Sequence, residues 1–173
     1  MVGPPVALPW GVATAGRRMG KLLMASIRHM RSDDEVRSTF RVMHQLRPFL
    51  VESEYVEAVR VQREEYGYHL VALVSNGEVM CVAGYKFSHS FHFAKYMYVD
   101  DLVSDANARG KGHGEAMFDW LEAECRRTGC SHLRLDTGVQ RHGAQRFYKR
   151  KRMDALCYHF VKEVAAQREQ AAD

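Results

Sequence analysis

From position 24 onward the chain switches between two hydrophobic periods, and the switches mark out its elements. A short strand candidate, "MASIRHM", comes first. In "DDEVRSTFRVMHQLR", Val36, Phe40 and Met43 recur on one helical face; Ser32 stands three residues before Glu35, the capping-box spacing, and Pro48 follows the run. A second helix is expected from Ser53 to about Glu65, with Gly67 just past it. The strands "YHLVALVS" and "EVMCVAGYKFS" flank Asn76-Gly77, the dipeptide suited to the positive φ angles of a type I′ hairpin, so they should be antiparallel neighbours. After a loop holding His89 and His92, "KYMYVDDLV" reads as another strand, and an amphipathic helix follows that should end near Gly129. "SHLRLDTG" as a strand, "GAQRFYKRKR" as a short helix and "DALCYHFVKEV" as a final strand complete the order.

The residues ahead of position 24 do not share this regularity. "MVGPPVALPWGVATAGRRMGKL" has tandem prolines, scattered glycines and no clear period. A secretory signal would carry its charges before an apolar core, whereas Arg17 and Arg18 come after the apolar residues. Residues 1–23 are therefore expected to be a poorly ordered extension, and 24–173 a single domain. A length of 173 residues, 46% hydrophobic and 27% charged, suits one sizeable core rather than two.

Charge and cysteine usage narrow the function classes. A net charge of +4, spread along the chain, favours an acidic ligand without requiring a nucleic-acid polymer. Cys81, Cys125, Cys130 and Cys157 show no CxxC spacing, so neither a zinc ribbon nor a redox pair is indicated. His89 and His92 lack a third ligand at a suitable spacing, and no metal is expected. No apolar run approaches the roughly 20 residues that span a bilayer, which points to a soluble, cytoplasmic protein without a membrane partner.

The chemistry concentrates in "DANARGKGHGEAMFDWLEAEC". Gly110, Gly112 and Gly114 alternate with Lys111 and His113 behind Arg109, at the junction of a strand and a helix. The first turn of a helix leaves backbone N–H groups unpartnered and carries roughly half a positive charge, so a glycine-rich approach to it can cradle a phosphate or pyrophosphate. A Walker A loop would need GxxxxGK followed by Ser or Thr, and a dinucleotide fingerprint would need GxGxxG; neither string is present.

These residues resemble the GNAT family of N-acetyltransferases. That family's pyrophosphate motif is Gln or Arg, two variable residues, Gly, one variable residue, then Gly or Ala, which Arg109-Gly110-Lys111-Gly112-His113-Gly114 satisfies. "YVDDLVSDANARGKGHGEAM" is similar to its central strand, loop and helix, and "GAQRFYKRKRMD" to its tyrosine-bearing helix. Two positions depart from the pattern: Arg141 stands where many members carry asparagine, and Arg152 where glycine is usual.

The resemblance implies an α/β (α+β) fold with a central mixed, mostly antiparallel sheet of about six to seven strands, splayed at the cofactor site and flanked by about four helices. It implies acetyl-CoA as co-substrate, with its pyrophosphate on the backbone from Lys111 to Gly114 and its pantetheine paired with β backbone near Leu102 and Val103. It further makes Tyr148 the acid beside the departing sulfur. Asp100, favoured over Asp101, is the base acting through water, and the acceptor is a primary amine in a small molecule, a polyamine or aminoglycoside, or a lysine or peptide. Nucleic acid is not an expected partner, and a homodimer is allowed. Two other classes share parts of this pattern: a non-catalytic acyl-CoA sensor, and a small RNA-binding protein using the basic run Arg146–Arg152.

Overall fold

The computed structural model describes residues 25–164; the extension expected at 1–23 lies outside them. The capping box forms as its spacing requires. The Ser32 hydroxyl accepts from the Glu35 N–H while the Glu35 carboxylate accepts from the Ser32 N–H, starting helix α1, Asp33–Met43. It ends at Met43, the last residue of that apolar period, and turns occupy 44–46 ahead of Pro48. Helix α2, Glu52–Tyr66, stops at Gly67 (φ 64°), a left-handed cap whose N–H bonds back to the Arg63 carbonyl while that of Tyr68 reaches the Gln62 carbonyl.

Strands β1 (Ala25–His29), β2 (His69–Ser75), β3 (Glu78–Ser90) and β4 (Ala94–Ser104) pair antiparallel in chain order. Asn76 and Gly77, both at positive φ (52° and 80°), make the two-residue turn that sets Ser75 opposite Glu78. The β3–β4 hairpin is tighter than a loop around both histidines would make it: His89 lies within β3 opposite Lys95, and only Phe91–Phe93 form the turn. Helix α3, His113–Arg127, crosses back to β5, His132–Leu135, completing a mixed sheet of order β1-β2-β3-β4-β5. The Ser131 N–H donates to the Lys95 carbonyl at 2.8 Å, fastening the start of β5 to the start of β4.

Helices cover both sheet faces, which is why β2 and β3 read as nearly continuous apolar runs. On one face Val36, Val42 and Met43 of α1 and Tyr55 and Val59 of α2 pack on Leu70, Ala72, Val82 and Val103. On the other, Met117, Phe118, Leu121 and Cys125 of α3 are buried, as are Tyr85, Met97 and Val99.

The chain divides into two compact units, the first ending at Leu133. The second contains helix α4, His142–Arg150, and the segment 154–164. That segment corrects the expectation of a sixth strand: it forms none, leaving five strands among the described residues rather than six or seven. Its β-prone residues Tyr158, Phe160 and Val161 are 87%, 90% and 83% exposed, and propensity makes no strand where no neighbour supplies a ladder. Arg152, at φ 60°, takes the left-handed geometry that explains why glycine is usual at this place in similar sequences. Among the described residues no helix is long and apolar enough to cross a membrane.

Candidate active site

Adjacent residues of a regular strand point to opposite faces, so Asp100 and Asp101 should be divided by the sheet. A bulge prevents this. The β3–β4 register passes from Tyr85↔Val99 to Gly84↔Asp101, leaving Asp100 as the extra residue. Both carboxylates consequently face the side of the sheet that α1 and α2 cover: Asp101 meets Arg47 and Tyr68, and Asp100 meets Lys86.

The two acids have unlike surroundings. Asp101 is saturated, accepting from Arg47 Nε at 2.8 Å and from the Tyr68 hydroxyl at 2.8 Å. Asp100 pairs through Oδ1 with Lys86 Nζ at 3.3 Å, while its Oδ2 is buried with no hydrogen-bond partner. Burial pushes the Asp100 carboxyl above the usual range, against the opposing pull of Lys86. One carboxylate is structural in character; the other keeps an open lone pair and a strengthened hold on a proton.

The bulge is held from two sides. Arg47 Nη2 donates to the Asp100 carbonyl at 2.9 Å while its Nε holds Asp101, so one guanidinium grips both residues. Tyr68 lies across Gly84, where an added Cβ would stand 1.7 Å from the tyrosine oxygen. Only a glycine admits that ring.

Beyond β4 the chain makes a single 3₁₀ turn, Ala106–Ala108, and enters the glycine loop. Gly110 and Gly112 take φ of 76° and 88°, and a Cβ at either would meet nothing within 4 Å, so backbone conformation rather than crowding selects glycine. Gly112 caps α3, and the first helical bond runs from the Ala116 N–H to the Gly112 carbonyl at 2.9 Å. The His113 and Gly114 N–H groups precede it and have no helical carbonyl to reach. Gly114 lets this turn sit close to β4, since a Cβ there would come within 3.0 Å of Ser104 Oγ. His113 Nδ1 is buried without a hydrogen-bond partner; burial, then the Lys111 charge, pulls the imidazole below its ordinary range. Lys111 Nζ reaches the Asn107 carbonyl at 3.0 Å, and Arg109 is exposed at the loop's start. An open, glycine-shaped loop with unsatisfied N–H donors and an unpartnered imidazole nitrogen fits an anionic pyrophosphate.

Asp105 anchors this loop. Its carboxylate accepts from Arg41 Nη1 at 2.9 Å, Gln45 Nε2 at 3.3 Å and the Asn107 N–H at 3.2 Å. Burial acts to raise this carboxyl, but the bonds from Arg41, Gln45 and Asn107 outweigh it and hold it below the usual range. Its contribution to stability is thus present above the unfolded-state pKa and lost as pH falls through the lower folded one. Asp105→Ala should lower unfolding free energy at pH 7 by about 1–3 kcal/mol. In urea titrations the gap from the parent should close in acid, and a pH-independent gap would show that packing, not charge, is what was removed.

Leu102 and Val103 lie opposite Ala83 and Val82 in the ladder; Val103 is buried and Leu102 half-buried. The structure therefore brings Asp100, Leu102, Val103 and the 109–114 loop onto one strand and its exit. Tyr148 belongs to the second unit, half-buried on α4 with its ring 5.4 Å from that of Phe147. His89 is on β3 and His92 in the turn, and among the described residues no group of three or more His, Cys, Asp or Glu is arranged to hold a metal.

The sequence model of the Acetyltransferase (GNAT) family matches residues 24–152. The chain belongs to that family. As a GNAT acetyltransferase it is an N-acetyltransferase enzyme, and its family generally uses acetyl-CoA. It is 28% identical over 128 residues to the uncharacterized N-acetyltransferase YhdJ of Bacillus subtilis (strain 168), covering 74% of this chain and 90% of that protein. Its fold is similar to a GNAT family acetyltransferase of Staphylococcus aureus, with TM-score 0.70 and 15% identity over 82% of this chain and all of that one (100%). It also resembles glucosamine-6-phosphate N-acetyltransferase of Arabidopsis thaliana, with TM-score 0.66 and 19% identity over 82% of this chain and 99% of that one. At such identities these structures speak for the fold alone.

Three residues of this GNAT site escape a reading by motif: Arg47, Tyr68 and Gly84. Gly84 carried a local signal, because an isolated glycine inside a strand marks a bulge or a close approach, and here it marks both. Arg47 and Tyr68 carried none, since they meet Asp101 from 54 and 33 residues away.

Proposed function

We propose that this enzyme moves an acetyl group from acetyl-CoA directly to a primary amine within a ternary complex, with Asp100 as the base. The observation that carries this reading is the contrast within the acid pair: Asp101 saturated, Asp100 with a buried, unpartnered Oδ2 on a β-bulge. A lysine-like amine of pKa about 10.4 costs roughly 4.6 kcal/mol to deprotonate at pH 7. A carboxylate whose pKa is lifted toward the working range, reaching the amine through one water, is suited to that task.

The remaining roles follow the site's layout. Acetyl-CoA supplies the acetyl thioester. Backbone N–H groups of Lys111, Gly112, His113 and Gly114 hold the pyrophosphate, with Arg109 and Lys111 adding charge. β5 has four residues against eleven in β4, too few to accompany it from Lys95 to Leu102 and Val103, so backbone there can pair with the pantetheine amides. As the amine nitrogen bonds to the acetyl carbon, its proton passes through water to Asp100, the carbon–sulfur bond breaks, and Tyr148 protonates the thiolate. Both units would act as one N-acetyltransferase domain, since the family match runs through the boundary between them. The free thiols Cys81, Cys125, Cys130 and Cys157 suit the reducing cytoplasm.

Calorimetric titration with acetyl-CoA, CoA and NADH, followed by a screen of polyamines, aminoglycosides and lysine peptides, tests this reading. Saturable binding of acetyl-CoA and CoA but not NADH, with transfer to at least one amine, is expected. Binding without transfer to any amine would turn the reading toward a sensor. Tyr148→Phe should lower kcat by about 10²-fold where chemistry limits the rate; full turnover under that condition would remove tyrosine as the acid.

A further inference from the structure

A cavity of about 530 Å³ opens at the end of the sheet, where β1 stops and β2 begins, between the C-terminal turns of α2 and α3. Its ring floor lies on the face of the sheet opposite the Asp100 and Asp101 carboxylates, although Tyr68, which holds Asp101, also contributes to its lining. Tyr85, in its floor, faces α3, with its ring 6.3 Å from Trp120, whereas the next residue, Lys86, points through the other face to Asp100.

The floor is a set of rings placed by strand register. His69 lies directly opposite Tyr85 and stacks on it, with centroids 5.0 Å apart and planes within 18°. Phe87, two residues along β3 on the same face, meets His69 edge-on at 5.4 Å, and His29 closes the group 6.0 Å from His69. Burial first, and nearby charge second, pushes both imidazoles below their ordinary range, so they present flat neutral surfaces near neutral pH.

The walls are cationic. Arg127 is occupied by Glu124, to which it donates two bonds of 2.7 Å, so that pair is neutral overall. Arg63 and Arg31 are different: among the described residues no carboxylate pairs with either. Arg63 donates to the Met30 and Arg31 carbonyls, using two of the five N–H donors of a guanidinium. Two uncompensated arginines beside a stacked ring surface match a ligand that is flat, apolar across its face and anionic at one end. The volume lies within the range of small-molecule sites, roughly 300–1,000 Å³.

We propose that this cavity is a second ligand site, taking a planar aromatic carboxylate whose ring lies against the His69–Tyr85 stack and whose carboxylate is held by Arg31 and Arg63. It does not depend on acetyl transfer. Trp120 adjoins the floor, so in a full-length Trp10→Phe variant it is the sole tryptophan and reports occupancy by its fluorescence. Benzoate is the probe, with benzamide as a neutral planar comparator and cyclohexanecarboxylate as a charged, non-planar one. A saturable change with benzoate is expected, at an affinity about tenfold or more above either comparator. Arg31→Gln should weaken it about tenfold with an unchanged thermal melt, and Arg63→Gln by at least as much. Saturating acetyl-CoA should not displace benzoate. Absence of saturable benzoate binding, equal affinity for benzamide, indifference to Arg31→Gln, or displacement by acetyl-CoA would each overturn the assignment.

Discussion

Asp100→Asn should lower kcat/KM for amine acetylation by about 10²–10⁴-fold, the range a positioned general base contributes, and should change the shape of the pH profile. Only the carboxylate form of Asp100 accepts a proton. Because burial lifts its pKa, activity of the parent should fall as pH drops through a value above the ordinary carboxylate range. The asparagine variant has no such group, so its residual rate should follow the free-amine fraction and shift toward alkaline pH. Stability moves little, or slightly upward, because a carboxyl with a raised folded-state pKa opposes folding once ionised. Steady-state rates from pH 5 to 10 check both features. An unchanged profile would transfer the role to another group, and Asp101, saturated by Arg47 and Tyr68, is poorly placed to receive it.

Gly112→Val should weaken acetyl-CoA binding by at least about 100-fold. The backbone there has φ 88° and ψ 0°, which a β-branched residue rarely adopts, although a Cβ would meet nothing within 4 Å. Holding the geometry would cost about 1–2 kcal/mol or more; relaxing it turns the N–H groups of His113 and Gly114 away from the ligand. Calorimetry should show the lost affinity, and urea unfolding a deficit of only about that size. Parent-like affinity would sink the cradle. A collapse of the fold would be resolved with Gly112→Ala, which keeps the strain smaller and should show an intermediate loss.

Elements fixed by local chemistry were legible in the sequence. Ser32 and Glu35 announced α1, Asn76-Gly77 set the first hairpin, and the glycine loop before an amphipathic run announced the turn into α3. Gly84 hinted at a bulge or a close approach, but its place at Asp100 was not legible, because nothing in "KYMYVDDLV" shows which residue of β4 is left without a partner in β3. The unlike surroundings of the acid pair were hidden for the same reason, being decided by Arg47, Tyr68 and Lys86 across tertiary distance. The segment "DALCYHFVKEV" misled in the opposite direction: its propensity was readable, and the missing neighbour was not.

Three residues in the stretch from Arg41 to Arg47 would serve both halves of the proposed reaction. Arg41 and Gln45 fasten Asp105 at the mouth of the glycine loop, while Arg47 grips the bulge that presents Asp100. A swap of the α1–α2 connection, which holds Gln45 and Arg47, would therefore loosen the glycine loop and the bulge together. Grafts that retain Arg41, Gln45 and Arg47, keep Leu50 against the core, and vary only Phe49 and Val51, at 75% and 52% exposure, leave that shared mount intact.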